Sequence, residues 1–237
     1  MMSRVPTTYK NRVLSSVSAS DIEGLQQHLS FVSLTTEQVL HEPNSRMTDV
    51  YFVEEGVVSL TADTFDEGRV EVGLIGREGF VGSSAALNDE PFAMHRSFVQ
   101  APGFGFRMNC TELRSAMDQS ATFRRSCLRS VEMLMQQTSQ VAACNARHSL
   151  PERLARWLLM MRERIDSDDL PMTQKFLSMM LGVRRPGVTV AAATLQEGGL
   201  IRQHRGHITI ANYDGLLAAS CECYRVIASN QKRITGR

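Results

Sequence analysis

The hydrophobic pattern of this chain changes period near Asn109, and that change constrains the fold more than any other feature. From Val39 to Met108 the apolar residues come in short runs at 50–53, 57–60, 70–75, 97–99 and 104–106. Glu55-Gly56, Asp66-Glu-Gly68, Gly76-Arg-Glu-Gly79 and Pro102-Gly103 separate them. Short β-branched and aromatic runs between turn residues predict an antiparallel sandwich or barrel-like roll. Ahead of it, 20–30 reads as a short amphipathic helix, with Ser20 as N-cap and Ile22, Leu25 and Leu29 on one face. After Asn109 the pattern is helical as far as about Ala146.

That helical stretch carries a seam. Cys127, Val131, Leu134, Thr138 and Val141 are spaced 4, 3, 4, 3, and Leu128, Met135 and Ala142 lie beside them. An a/d seam predicts a partner helix, whereas a wider stripe equally suits packing on the β-roll. Ser149-Leu-Pro-Glu152 then has the form of a capping box and opens a new helix to about Ile165. The expected organisation is α+β: a β-roll over 1–111, a long helix and linker over 112–146, and a further domain over 147–237.

The last segment is the most specific. Thr173 can cap a helix over 174–181, and Gly182 stops it. Val183 and Arg184 form a turn, and Pro186 opens a second helix through about Glu197. Helix, short turn with Gly, helix is the helix-turn-helix order. Leu200-Ile201, Arg205-Gly206 and Ile208-Thr-Ile210 read as a hairpin with a basic tip, a wing. Arg184 and Arg185 fall at the start of the second helix, the part that meets base edges in the major groove. Arg pairs bidentately with guanine or neutralises phosphate. Arg202, His204, Arg205 and His207 would place the wing near phosphates. Charge agrees: residues 1–145 carry a net −5 and residues 146–237 a net +6.

Other classes are excluded or weak. No run approaches the roughly 18 apolar residues of a membrane span, and residues 1–20 lack the apolar core of a signal peptide. A cytoplasmic chain without membrane contact is therefore expected. Five scattered cysteines are no disulfide framework and read as reduced thiols. Cys221-x-Cys223 alone is a weak metal motif, so both read as small core or near-surface thiols and no metal ligands are assigned. Gly76, Gly79 and Gly82 lie between strands and do not form a phosphate loop. The methionines at 160, 161, 179 and 180 read as core filler. No Ser/His/Asp set, carboxylate pair or metal-enzyme motif has meaningful spacing, so no catalytic residues are assigned and no enzyme is expected.

These residues carry a resemblance. From about 20 to 224 the chain resembles the Crp/Fnr family of bacterial transcription regulators. The match runs through Tyr51-Phe-Val-Glu-Glu-Gly-Val-Val58, Gly73-Leu-Ile-Gly-Arg-Glu-Gly-Phe-Val-Gly82, Arg153-Leu-Ala-Arg-Trp-Leu-Leu159 and Leu181-Gly-Val-Arg-Arg185. A subgroup with Ala143-Cys-Asn145, Gly182-Val-Arg-Arg-Pro-Gly-Val188 and Cys221-Glu-Cys-Tyr224 is especially similar. The resemblance implies a cyclic-nucleotide-binding-like β-roll, a dimerisation helix and a winged helix-turn-helix. It also implies a homodimer on a near-palindromic operator and contact with RNA polymerase. DNA contacts then fall on Thr173, Gln174, Arg184, Arg185, Thr189, Val190, Arg202 and Arg205. Effector contacts would fall on Gly79, Gly82, Ser83, Arg96, Ser97, Thr138 and Ser139.

The chain also departs from the family. Cyclic-AMP-binding members have a Gly-Glu-Leu run, followed by Arg-Ser; here the run is Gly82-Ser83-Ser84, so the ribose-binding Glu is missing. The segment from Ser83 to Arg96 is longer, and cyclic nucleotide is not an expected ligand. Pro186 and Val190 replace a Glu and an Arg that read bases, so the operator is not carried over. A family iron–sulfur cluster needs N-terminal cysteines, and the first here is Cys110, so no cluster is expected. A haem would need a ligand such as His28 or His41, and both read as plain surface residues. The expected function is a DNA-binding transcription regulator. The alternative is a small-molecule sensor that has lost DNA binding, a reading kept open by Pro186 and Gly187.

Overall fold

The computed structural model describes residues 8–64 and 68–235. Contacts divide the chain into two compact units, 1–60 with 74–135, and 61–73 with 136–237.

Two short helices open the chain, α1 (Arg12–Ser15) and α2 (Ala19–Gln26). Strands β1 (Ser30–Leu34), β2 (Val39–His41), β3 (Asp49–Thr64), β4 (Gly68–Ile75), β5 (Phe80–Val81) and β6 (Arg96–Asn109) follow. They form one sheet in the order β1-β6-β3-β4, with β2 on β6 and β5 on β3. The pairings of β1 and β2 with β6 and of β5 with β3 are antiparallel, as the run-and-turn pattern predicts. Phe52 meets Phe80 and Phe123 in the core, with ring centroids 5.5 and 6.1 Å apart. Asn11 is fully buried and fully used. Its Nδ2 donates to Val53 O at 2.9 Å and Gly79 O at 2.8 Å, while its Oδ1 caps α1. A buried amide is tolerated because each of its groups finds a partner.

Three local expectations are corrected. Glu55-Gly56 and Pro102-Gly103 are not turns; β3 and β6 run straight through them. Gly56 has φ +95°, and a Cβ on Gly103 would fall 2.1 Å from Glu55 O. Here glycine marks a kink where two backbones press together. The early helix is α2, capped by Ser18 rather than Ser20, and it stops at Gln26 because Ser30 already pairs with Arg107. The long helix is broken: α3 (Cys110–Gln119) ends at Ser120, whose extended backbone separates it from α4 (Ala121–Arg147). The Ser120 hydroxyl accepts from Phe123 N–H at 3.1 Å and so starts α4. In the expected turn at 66–68, Asp66 and Glu67 lie outside the described residues.

The second unit is built around α5 (Leu150–Ile165). The Ser149 cap is as predicted, with Glu152 Oε2 accepting from Ser149 N–H at 2.8 Å. Leu154, Trp157, Leu158, Leu159 and Met161 of α5 are buried. Around it stand β7 (Asp169–Pro171), α6 (Gln174–Leu181), α7 (Arg185–Glu197), β8 (Ile201–His204), β9 (His207–Ile210), α8 (Tyr213–Ala219) and α9 (Cys223–Thr235). The wing is a three-stranded sheet, β7-β9-β8. Strand β7 was not read from the sequence. Asp169 ties it to β9, accepting from Thr209 Oγ1 at 3.1 Å and lying 3.0 Å from His207 Nδ1. Trp157 Nε1 donates to Glu71 Oε1 at 2.7 Å, which docks the β3–β4 hairpin within this unit. Among the described residues, no helix is long and apolar enough to cross a membrane.

Candidate nucleic-acid interface

Helix α6 begins where Thr173 Oγ1 accepts from Phe176 N–H at 3.2 Å, and it ends at Gly182 in the left-handed region, φ +63°. Glycine adopts that conformation without Cβ strain. Arg184 is extended and caps α7, and Pro186 sits in its first turn, where no backbone N–H is needed. Leu177, Met180 and Leu181 of α6 and Val188, Ala191, Ala192 and Leu195 of α7 are buried. Phe176 is half-buried.

The opposite faces meet solvent together. Thr173, Gln174, Arg184, Arg185, Thr189, Val190, Arg202 and Arg205 are all exposed. Thr189 Oγ1 donates to Gln174 Oε1 at 3.2 Å, so side chains from the two helices meet on one surface. Val190 is 67% exposed on the middle of α7. Lys175, which sequence reading did not single out, is exposed one residue after Gln174 at the start of α6. With Arg69, Arg184 and Arg185 it lines a groove of about 550 Å³. Arg69 is engaged by Asp63 at 3.0 Å. At the wing tip, Gly206 has φ +76° and Arg205 projects beside it. His204 and His207 are both exposed, but His207 Nδ1 is engaged by Asp169 at 3.0 Å.

The seam on α4 is placed differently from its sequence reading. Cys127 and Val131 are buried in the β-roll core with Phe52, Phe80 and Phe123. They do not face outward, because the start of α4 is used to close that core. Leu134, Thr138 and Val141 are half-buried. Leu128, at 42%, and Met135, at 65%, are exposed, as is Ala142. These three are seven apart, so the exposed heptad stripe is rotated by one residue.

The effector residues are largely engaged by the chain itself. Arg96 Nη1 pairs with Glu42 at 3.1 Å. His41 is buried, not a surface residue. Its Nε2 lies 2.8 Å from Asp49 O and donates; its Nδ1 then accepts from the Ser97 hydroxyl at 3.0 Å. With both nitrogens used, His41 is no haem ligand, and His28 is paired with Glu112 at 2.8 Å. Gly79 O is taken by Asn11, and Gly82 has φ +100° at the start of the 3-10 turn Ser83–Ala86. The longer segment folds back on 44–47 through Ala93 N–H to Ser45 O, Asn44 N–H to Ala93 O and Met47 N–H to Pro91 O, at 2.8–2.9 Å. Thr138 is half-buried and Ser139 exposed on α4, in the other unit.

Burial lowers the pKa of His41, and likewise that of His95. The unfolded chain therefore binds more protons in the window from the folded pKa up to about 6.5. Stability is full above that window and falls as pH drops through it. Urea unfolding between about pH 5 and 8 is expected to show this slope. His41→Gln is expected to remove part of it, leaving the His95 share.

Cys221 and Cys223 are buried beside Cys144 rather than near the surface.

The Crp-like helix-turn-helix domain family matches residues 152–219. Solved structures of similar fold include FixK2 from Bradyrhizobium japonicum, at 18% identity and TM-score 0.69, covering 81% of this chain and 98% of that one. The c-di-GMP responsive global regulator CLP of Xanthomonas campestris aligns at 16% identity and TM-score 0.69, covering 82% and 100%. A CRP/FNR-family transcriptional regulator from Thermus thermophilus aligns at 21% and TM-score 0.60, covering 81% and 98%. No curated protein matches the sequence.

Proposed function

We propose, for a chain that belongs with the Crp/Fnr regulators by its Crp-like helix-turn-helix domain and shares their fold, that it binds operator DNA as a homodimer through α7 and the wing. The observation that carries this reading is the single exposed surface made by Gln174, Arg184, Arg185, Thr189 and Val190. Two-fold pairing along the exposed stripe of α4 calls for a near-palindromic site with half-sites about 10 bp apart. RNA polymerase is the further partner expected of such a regulator. No observation favours the sensor-only alternative: Pro186 sits in the first turn of α7 without disturbing it, and Gly187 is accommodated within the helix.

The test is selection of a binding sequence from random DNA with the full chain, followed by titration of Arg185→Ala. That variant is expected to lose about 1–3 kcal/mol on the selected site and little on random DNA. Equal loss on both would reduce Arg185 to a phosphate contact. Failure to select any sequence would remove the reading altogether.

Control by an effector in the β-roll is part of the proposal, with cyclic AMP a poor candidate. A carboxylate on a ribose hydroxyl contributes about 1.5–3 kcal/mol, and Ser83 offers none. Arg96 and Ser97 would also have to leave Glu42 and His41. Calorimetry with cyclic AMP is expected to show binding at least roughly tenfold weaker than low micromolar, or none. Saturable low-micromolar binding abolished by Arg96→Ala would show that the cassette works without its Glu.

A further inference from the structure

The C-terminal end of α4 and the start of α9 bring four metal-binding side chains to one point. Cys144 and His148 are one helical turn apart, His148 N–H still donating to Cys144 O at 3.0 Å. Cys221 and Cys223 flank Glu222 between α8 and α9. The three thiol sulfurs and a ring nitrogen of His148 all lie within 4.8 Å of one another. Cys144 Sγ is 3.4 Å from Cys221 Sγ, and Cys223 Sγ is 3.6 Å from His148 Nδ1. A tetrahedral zinc with Zn–S near 2.3 Å holds its sulfurs about 3.8 Å apart, so the spacing is that of one ion's ligand shell. An iron–sulfur cluster, with several irons between its ligands, would hold them further apart.

The surroundings have the same chemistry. Cys144, Cys221 and Cys223 form a buried cluster made of cysteines alone. His148 turns Nδ1 toward the sulfurs, and its Nε2 lies 3.2 Å from Glu222 Oε2. A histidine ligand oriented through its other nitrogen by a carboxylate is the usual outer shell of a zinc site. Gln140 Nε2 donates to Cys223 Sγ at 3.1 Å, as an amide does to a thiolate. Arg156 is 3% exposed, forms no ion pair with a carboxylate among the described residues, and lies within electrostatic reach of Cys144. A buried cation needs a countercharge. Three thiolates and one Zn²⁺ leave a net −1.

We infer that Cys144, His148, Cys221 and Cys223 bind one zinc ion in a closed, structural Cys₃His site that fastens α4 to α9. No step of the proposed DNA binding depends on it, so the two readings can fail separately.

The test uses the full chain purified with reductant and without chelator. Elemental analysis is expected to find about one zinc per chain. After chelator stripping, added cobalt(II) is expected to give the absorption of a tetrahedral thiolate site, displaced by one equivalent of zinc. Cys221→Ser with Cys223→Ser should lose the metal, and Cys110→Ala should keep it. Glu222→Gln should weaken zinc binding about 10–100-fold. Stripping should lower Tm by roughly 10 °C, restored by zinc. If the double variant does not fold, the cobalt spectrum of the unaltered chain decides. Iron in place of zinc, a Cys144–Cys221 disulfide, or freely titrating thiols with no cobalt spectrum would each overturn the assignment.

Discussion

Replacing Leu128 and Met135 together by glutamate is expected to leave the chain monomeric in sedimentation equilibrium and to abolish operator binding. Both side chains are exposed on α4, seven residues apart, with exposed Ala142 continuing the stripe. Two such helices brought together would bury these side chains against one another, and four glutamates would instead face across the seam. The fold should survive, because neither residue belongs to the β-roll core that holds Cys127 and Val131. A monomer reaches one half-site only. Specific complexes are typically tighter than non-specific ones by about 10³ or more, and most of that margin should disappear. Cys127→Glu would be the wrong test, since it destroys the core of one chain. A variant that still sediments as a dimer would locate the interface elsewhere.

Gly103→Ala is expected to destabilise the β-roll by roughly 4 kcal/mol or more, toward the extreme for one methyl group. The added Cβ would stand 2.1 Å from Glu55 O and 2.7 Å from Gly56 N, and neither atom is the end of a movable side chain. Strands β3 and β6 would have to part, and Gly103 also pairs with Leu34 of β1. Gly68→Ala is a useful contrast: its φ is +88°, yet nothing lies within 4 Å of the added carbon. That variant should cost only the backbone strain of about 1–2 kcal/mol. Chemical denaturation of both variants measures the difference. Similar losses would mean that the close crossing of β3 and β6 matters less than its geometry indicates.

The helix-turn-helix was legible because its signals are local. Thr173, Gly182 and Pro186 act on their own backbones, and the apolar spacing of α6 and α7 follows from 3.6 residues per turn. The existence of β3, β4, β6, β8 and β9 was legible for the same reason, whereas that of β1 and β7 was not. Strand continuity was not, because a glycine in a turn and a glycine under a crossing strand look alike until the second strand is placed. The exposed apolar stripe of α4 lies one residue out of phase with the seam read from spacing. Cys127 and Leu128 are adjacent, and both begin an apolar series with the same period. Which one is left for a partner depends on where the β-roll sits against the helix.

The cysteines show the limit most clearly. Cys221-x-Cys223 lacked a second pair nearby in sequence, and Cys144-x-x-x-His148 begins 77 residues before Cys221, across the whole winged domain. Ligand geometry is a property of points in space, and chain separation carries almost no information about it once a fold intervenes. Local backbone chemistry and periodicity were thus enough to specify the helix-turn-helix, the cap of α5 and the longer strands, while the missing cassette carboxylate was legible only through the family resemblance. Only tertiary packing could decide which apolar stripe is spent on the core, which glycines bear a crossing strand, and which distant thiols share one centre.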